Sequence, residues 1–263
     1  YILSVEKLSG ITPSTRGVWL RMIASELQRI ASHAVATGFF INDLGAWHTP
    51  LLYLLREREK ILEMFEMLCG ARITTTYLRP GGVFMDAPDV FWSTLNRFLD
   101  EMPHRIDDIE QLLTTNEIVL VRTQNIAVLK KDECINASIT GPVLRASGVD
   151  WDLRDKNPYD YYDQIDFSRP LGQIGDNHDR FLVRLFEMRE SLKILHQCIE
   201  KIEPGPVRPK DVPFLVRPPK GDSYVPIESP KGELGFYLVS DGGISPFRCH
   251  VRAPSLINLT LLK

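Results

Sequence analysis

The sequence lacks several features that would point directly to a function. Its four cysteines, Cys69, Cys134, Cys198 and Cys249, never form a CxxC pair, so we expect no metal or cluster held by this chain alone. It contains no GxGxxG fingerprint and no GxSxG or HExxH motif, which argues against a bound dinucleotide and against common hydrolase sites. No apolar run approaches the roughly 18 residues that a membrane-spanning helix needs.

Charge and composition exclude further classes. The net charge of -3 gives no electrostatic reason to expect nucleic acid as a partner. With 44% hydrophobic and 25% charged residues, the composition is that of a globular protein. The isolated cysteines indicate buried thiols in a reducing compartment. The chain opens at Tyr1 without a methionine, and we expect both of its ends to be truncated.

Apolar residues recur at helical spacing in four long segments. We predict helices at Arg16–Ile41, Pro50–Cys69, Asp89–Thr114 and Asp176–Ile202. Thr12 is the expected N-cap of the first helix, with Pro13 in its first turn. Pro103 lies inside the third helix and predicts a kink or a break there. The four apolar stripes can bury one another in a helical core.

The rest of the chain follows other patterns. Residues 116–175 form a Gly- and Pro-interrupted insert with at most short helices, and a Pro-rich link covers 204–219. Alternating residues predict strands at Tyr224–Ser229, Leu234–Ser240 and Phe247–Arg252, with a hairpin signal at Asp241-Gly242. We therefore expect a mainly α protein with small β elements (α+β). Residues 1–203 would form the helical core, and 204–263 the link, a small β meander and the start of a further segment.

Several polar residues have both a structural and a functional interpretation. His33 fits a core histidine bonded to a backbone carbonyl. Asp43 fits either a cap for the next turn or an acid that points into an apolar pocket. The arginines beside Gly or Pro fit braces of loops through carbonyls and carboxylates; they are Arg72, Arg79, Arg145 and Arg154. Acidic residues and tyrosines between 159 and 179 fit a solvated or partner-facing surface. The residues alone do not decide between these interpretations.

Motifs along nearly the whole chain resemble the family of the D-type, quinone-pocket chain of respiratory complex I. They occur in the family's order, which is more specific than any single motif. They are Asn42 to Ala46 (NDLGA), Arg56 to Lys60 (REREK), Gly70-Ala71-Arg72, Tyr77 to Val83 (YLRPGGV), Gly141 to Gly148 (GPVLRASG), Trp151 to Arg154 (WDLR), Tyr159 to Gln164 (YDYYDQ), Gly175-Asp176 with Asp179-Arg180, Glu228 to Glu233 (ESPKGE) and Phe247-Arg248-Cys249.

The resemblance implies a fold and a role. The fold is the helical-bundle core of the [NiFe] hydrogenase large-subunit type. The role is the quinone-pocket subunit of a proton-pumping NADH:quinone oxidoreductase, in which the isolated chain would be inactive. It also implies a quinone substrate, an iron–sulfur cluster on the adjacent B-type subunit, contacts with the B, C and I subunits and with the membrane-embedded H-type subunit, and no cofactor bound by this chain itself. The expected location is the cytoplasmic, matrix or stromal face of an energy-transducing membrane, as a peripheral protein.

The resemblance also carries over individual residues. Asp43 matches the family aspartate that pairs with a quinone-protonating His and couples protonation to the membrane arm. Val35, Phe39, Leu51 and Leu52 match positions of the headgroup pocket.

The chain departs from the family at the loop near the neighbouring cluster. Arg72 and Thr74 match residues there, but many members have His where this chain has Thr74. Without that titratable group we expect a lower cluster potential, which suits a low-potential quinone. The link at 205–221 is also shorter than the family's.

Three alternatives stay open at this point. One is a membrane-bound [NiFe] hydrogenase large subunit, which Arg79-Pro80-Gly81-Gly82, Trp151 to Arg154 and Lys231 disfavour. Another is the equivalent subunit of a complex driven by ferredoxin or by a reduced deazaflavin. The third is a scaffold without a redox role, which the presence of Asp43 disfavours.

Overall fold

The computed structural model describes residues 1–45 and 48–261. The helices are α1 (Ile2–Ser9), α2 (Thr15–Asp43), α3 (Thr49–Cys69), α4 (Asp89–Thr114), α5 (Glu117–Thr123), α6 (Lys131–Asn136), α7 (Pro142–Ala146), α8 (Leu153–Lys156), α9 (Asn177–Lys201) and α10 (Pro254–Asn258), with 3-10 turns at Tyr162–Gln164 and Leu259–Leu261. The strands are β1 (Leu78–Arg79), β2 (Gly82–Val83), β3 (Gly221–Ser229), β4 (Gly232–Ser240) and β5 (Arg248–Arg252). The prediction of a mainly α protein with small β elements is confirmed.

The four predicted helices form the main core. α2 packs against α3 and α9, and α4 packs against α3 and α9. Their apolar faces meet in one cluster that includes Ile23, Leu54, Phe91 and Leu195. The expectation that each stripe is buried by the other helices is confirmed. Among the described residues, no helix is both long and apolar enough to cross a bilayer.

One local helix prediction is wrong, and of the two outcomes predicted at Pro103 the structure contradicts the break. The N-cap of α2 is Ser14, not Thr12: its backbone is still extended, and its hydroxyl accepts a hydrogen bond from the Gly17 amide at 3.2 Å. α4 also continues through Pro103 without a break. Met102 and Ile106 on either side of this proline are fully buried, so core packing outweighs the lost backbone hydrogen bond.

The segment between the third and fourth long helices has little regular structure, as predicted. Within residues 116–175 the longest element is α5, of 7 residues. The chain of this insert is held by contacts with the core, since α7 and α5 both pack against α9.

Strands β3, β4 and β5 form an antiparallel meander in that order, which confirms the predicted strands. The turn prediction was only partly right. The tight hairpin joins β3 to β4 at Pro230-Lys231, with Ser229 opposite Gly232, whereas Asp241-Gly242 opens the longer loop between Ser240 and Arg248.

β1 and β2 form a small hairpin that the sequence did not predict. Glycine is required where β2 passes Val207: a Cβ on Gly82 would lie 1.9 Å from the Val207 carbonyl oxygen. The turn is also tied to α1, because the Gly81 amide donates to Glu6 Oε1 at 2.6 Å. The division at residues 203 and 204 stays a prediction.

Candidate functional site

A stripe of side chains on α2 stays open while most of this helix is buried. Its members follow one another at steps of three or four, the spacing that places side chains on one helix face; they are Ser25, Gln28, Ser32, Val35, Phe39 and Asp43. At 1.5 Å per residue this α2 stripe is about 27 Å long. It is an elongated surface without charge until it ends in the carboxylate of Asp43.

The end of the α2 stripe borders the start of α3, where the two helices approach closely. A Cβ on Gly38 would lie 3.0 Å from Leu51 Cδ1, so a larger residue at this position would press on α3. Phe39 is 48% exposed and Leu52 61%, while Val35 and Leu51 are partly buried. Val35 and Phe39 thus lie on one face of α2, near the start of α3 that carries Leu51 and Leu52, and we call these four residues the apolar patch.

Asp43 is the last residue of α2 and is exposed at the edge of this patch. It does not cap the next helix, because the N-cap of α3 is His48. The connection after Asp43 is held by a 2.7 Å contact between Asn42 Oδ1 and His48 Nδ1. Ala46, part of the motif that contains Asp43, lies outside the described residues. An apolar pocket around the Asp43 carboxylate therefore requires further residues in addition to those of the apolar patch.

Arg72 and Thr74 lie in the loop that follows α3. Arg72 is paired with Glu59 and Glu66 and so braces the loop against α3. Thr74 is exposed and adopts a positive φ of 54°. A cavity of 440 Å³ lies beside this loop, and its wall includes Thr74 together with Ser25, Gln28 and Arg29 of α2.

The two groups of predicted site residues lie at opposite ends of α3. This helix has 21 residues, so its ends are about 30 Å apart. Leu51 and Leu52 are at its start, and Thr74 follows its end. The α2 stripe connects them, because Ser25 lines the cavity beside Thr74 while the stripe ends at Asp43.

Behind the α2 stripe the core contains a network of charged side chains. All members are almost fully buried: Glu26, Arg29 and His33 of α2, Arg145 of α7, Asp152 and Arg154 at α8, Glu187 of α9, and Glu228 of β3. The network joins the irregular insert to the helical core and to the meander. Because each ion has a partner of opposite charge or a hydrogen bond, the cost of burial is offset.

Arg145 is at the centre of this network. Its Nε lies 2.7 Å from Glu187 Oε1 and its Nη1 lies 2.9 Å from Glu228 Oε1. Burial acts to raise the pKa of Glu187, but the Arg145 guanidinium and the hydrogen bond from His33 hold that pKa well below its usual range. At Glu228 burial dominates over the same guanidinium, and the pKa is raised.

A second cluster surrounds Arg154, whose Nη2 lies 2.8 Å from Asp152 Oδ2 and whose Nη1 lies 3.2 Å from Glu26 Oε1. Tyr162 also donates to Glu26, at 2.7 Å. Burial acts to raise the pKa of Asp152, but Arg154 and Arg145 lower it to about 2. The expectation that arginines beside Gly or Pro brace loops holds for both arginines.

Several interpretations of polar residues need correction. His33 is a core histidine, but its partner is the carboxylate of Glu187 at 2.8 Å and not a backbone carbonyl. The stretch from 159 to 179 is only partly a solvated surface, because Tyr162 and Asp176 are buried.

Of the cysteines, Cys134 and Cys198 are buried, but Cys249 is exposed. The described residues contain no group of three or more His, Cys, Asp and Glu that could hold a metal.

The sequence analysis did not identify the buried carboxylates of this network, although the position of Glu26 in the helix pattern indicates that it is buried. It lies three residues after Ile23 and four before Ile30, a position where the helix pattern calls for an apolar residue. A charge at a core position indicates a buried partner. That partner, Arg154, lies 128 positions away and could not be named from spacing.

Comparison with known proteins places the chain in one family. Residues 43–218 and 211–263 match the family described as respiratory-chain NADH dehydrogenase, 49 Kd subunit. A Dehalococcoides mccartyi protein, named as the D-type subunit of NADH-quinone oxidoreductase, is 52% identical over 263 residues, which are 100% of this chain and 71% of that protein.

Two further relatives carry the same D-type designation in NADH-quinone oxidoreductase. A Roseiflexus protein, the one numbered 1 in that organism, is 51% identical over 99% of this chain and 71% of its own length. A Clostridium beijerinckii protein is 46% identical over 98% of this chain and 70% of its own length.

Proposed function

Because the chain belongs to the family of the 49 kDa subunit of the respiratory-chain NADH dehydrogenase, we propose that it forms one wall of the quinone pocket in an NADH:quinone oxidoreductase. It acts as one subunit of a multisubunit oxidoreductase. The relatives' names favour NADH as the donor and quinone as the acceptor, so the hydrogenase and the ferredoxin- or deazaflavin-driven alternatives are not favoured.

The observation that carries this proposal is the α2 stripe. A quinone has a long apolar tail and a polar head, and it needs a narrow, uncharged crevice. The α2 stripe is about 27 Å long, carries no charge before Asp43, and passes from the cavity at Thr74 to the apolar patch of Phe39 and Leu52. The neighbouring subunits would supply the opposite wall.

The proposed roles follow from these positions. Arg72 and Thr74 face the cluster-bearing B-type subunit, from whose iron–sulfur cluster electrons reach the quinone. Val35, Phe39, Leu51 and Leu52 contact the quinone, and Asp43 couples its protonation to the membrane-embedded H-type subunit. The C and I subunits complete the surroundings. In this arrangement the chain is peripheral, on the cytoplasmic, matrix or stromal face of the membrane, and binds no cofactor by itself.

The replacement Asp43→Asn in the assembled enzyme tests the proton-coupling role. We expect quinone reduction to fall by about a hundredfold, the lower end of the range for loss of a proton-transfer group. NADH oxidation with a hydrophilic artificial acceptor should be unchanged. Asp100→Asn is the matched control, because Asp100 is an exposed aspartate on α4. Unchanged quinone turnover in Asp43→Asn would favour the scaffold alternative.

A second replacement tests the crevice itself. Val35→Trp places a bulky ring in the middle of the α2 stripe, at a half-buried position that can accept it without disturbing the core. We expect quinone reduction to be lost while NADH still reduces the iron–sulfur clusters. Asn96→Trp, on the exposed face of α4, is the control. Normal quinone kinetics in Val35→Trp would place the quinone elsewhere.

A further inference from the structure

A second cavity lies between α2 and α9, on a different face of α2 from the stripe. Its volume is 320 Å³, and it is lined by Ala36, Thr37 and Phe40 of α2 and by Asn177, Arg180, Phe181 and Arg184 of α9. The motif at Gly175 to Arg180 leads into this cavity. The proposed quinone pocket uses none of these residues.

The two arginines of this cavity differ from the arginines of the core. Arg21, Arg29, Arg145 and Arg154 each have a carboxylate within 4.0 Å. Within the described residues, Arg180 and Arg184 form no such ion pair. Arg184 donates to the Arg180 carbonyl oxygen at 2.5 Å, and burial lowers its pKa.

The acids nearest to the cavity are already engaged. Asp176 accepts from the amides of Asn125 and Asp179. Asp179 accepts from three backbone amides of the preceding loop, the shortest being Ile174 at 2.6 Å. Glu187 is held by Arg145 and His33. The positive charge in the cavity is therefore not neutralised by a direct contact with these carboxylates.

A third group in the cavity points independently to a ligand. Thr37 is only 1% exposed, and its Oγ1 is buried with no hydrogen-bond partner among the described residues. An unsatisfied buried hydroxyl costs about 1 to 3 kcal/mol, so such atoms are rare unless something binds them.

We propose that this cavity binds a phosphate-class oxyanion, either free phosphate or the phosphodiester of a lipid headgroup, with Arg184 as its main anchor. The donors favour phosphate over carboxylate. The Arg184 guanidinium, the Thr37 hydroxyl and the Asn177 side-chain NH2 border the space, and four oxygens of a tetrahedral anion can accept from more of them than two carboxylate oxygens. Arg180 adds positive charge, but its guanidinium already donates to the carbonyl oxygens of Gly175 and Ala127 and to Asn177 Oδ1. The aromatic rings of Phe40 and Phe181 exclude water from the remaining wall.

Hydrogen exchange on the assembled enzyme tests the site, with inorganic phosphate titrated against chloride at constant ionic strength. We expect phosphate to slow amide exchange in peptides covering residues 36–40 and 177–184. Arg184→Gln should raise the half-saturating phosphate concentration by about tenfold or more, the equivalent of one charge-assisted hydrogen bond. Arg189→Gln, on the same helix but paired with Asp107 and Glu110, should leave it unchanged.

Thr37→Val is the second variant, since it keeps the shape of the side chain and removes only the hydroxyl. Like Arg184→Gln, it should raise the half-saturating phosphate concentration. It tests the proposal alone if the Arg184→Gln enzyme does not assemble. A parallel titration with short-chain phosphatidylglycerol separates the sources: tighter binding than free phosphate identifies a lipid headgroup. The proposal is overturned if phosphate gives no protection in the wild type, if Thr37→Val binds phosphate as the wild type does, or if acetate binds more tightly.

Discussion

His33 of α2 and Glu187 of α9 are joined by a contact of 2.8 Å between Nε2 and Oε2, and both side chains are almost fully buried. The other oxygen of Glu187 accepts from Arg145, so one carboxylate links two long helices to the irregular insert. His33 lies 10 residues before Asp43 on the same helix, a distance of about 15 Å. Buried charged groups thus hold α2, the helix of the proposed quinone wall, on the side opposite its open stripe.

Glu187→Gln should strongly destabilise the protein. The change removes the 2.7 Å partner of Arg145 inside the core, although Glu228 at 2.9 Å and Asp152 at 3.4 Å remain. We therefore expect a cost of about 3 kcal/mol, the lower end of the range for removing one partner of a buried ion pair. Chemical unfolding monitored by circular dichroism measures the loss. Glu200→Gln, at an exposed position of the same helix, should change the free energy of unfolding by less than about 0.5 kcal/mol. Equal stabilities of the two variants would contradict the importance of the network.

Stability should fall as the pH is lowered through the range in which free histidine titrates. Burial lowers the pKa of His33 despite its bond to Glu187, so the unfolded state takes up a proton below about pH 6.5 that the folded state resists. The contribution of His33 is therefore complete above that pH and is lost on acidification. His33→Gln still contacts Glu187 but cannot titrate. This variant should flatten the dependence of the unfolding free energy on pH between about pH 7.5 and 5.5. A slope equal to that of the wild type would contradict the titration of His33.

Asp160→Asn should stabilise the protein at neutral pH. Burial raises the pKa of Asp160 to about 6, although Arg21 partly opposes this. Because the folded pKa is above the unfolded value, the folded state is favoured at low pH and loses stability as the pH rises through about 6.

The asparagine variant avoids this loss and tolerates the positive φ of 50° at this position. We expect a gain of up to about 3 kcal/mol at pH 7.5 that disappears below about pH 4, measured by urea unfolding. Asp163→Asn, at an exposed neighbouring position, is the control. A gain that is independent of pH would contradict the titration of Asp160.

Thr74→His should raise the midpoint potential of the neighbouring iron–sulfur cluster in the assembled enzyme and make it depend on pH. The exposed loop position places an imidazole beside the cavity, where its protonation can stabilise the reduced cluster. The substitution should be tolerated, because a β-branched residue is strained at φ 54° and histidine is less so. Redox titration followed by electron paramagnetic resonance measures the potential. Thr76→His is the control, and an equal shift in both variants would contradict a specific role for position 74.

The long helices could be predicted because their information is local. Apolar residues at steps of three and four marked all four, and the predicted end of α3 at Cys69 is confirmed. The errors were also local. Thr12 was chosen over Ser14 as the N-cap of α2, and Pro103 does not break α4.

The candidate site was predictable only in part. The motifs indicated Asp43, Phe39 and Leu52 by resemblance, and the predicted end of the helix at Cys69 already placed Thr74 beyond α3. The cavity that Thr74 shares with Ser25 and Gln28 of α2 could not be predicted. The apolar spacing within α2 predicted its buried face, but that Val35 and Phe39 stay open depends on where α3 and α9 pack.

By itself, the sequence determined the positions of the four long helices and of the three meander strands. Through its motifs it also determined the family, because periodicity and motif order are properties of the linear sequence. Tertiary structure alone decided the partners of the buried charges: Glu26 with Arg154, Arg145 with Glu228, and the absence of a direct ion pair at Arg184 within the described residues. The physical reason is that an ion in the core is stabilised by whatever lies within a few ångströms, and those neighbours come from distant parts of the chain.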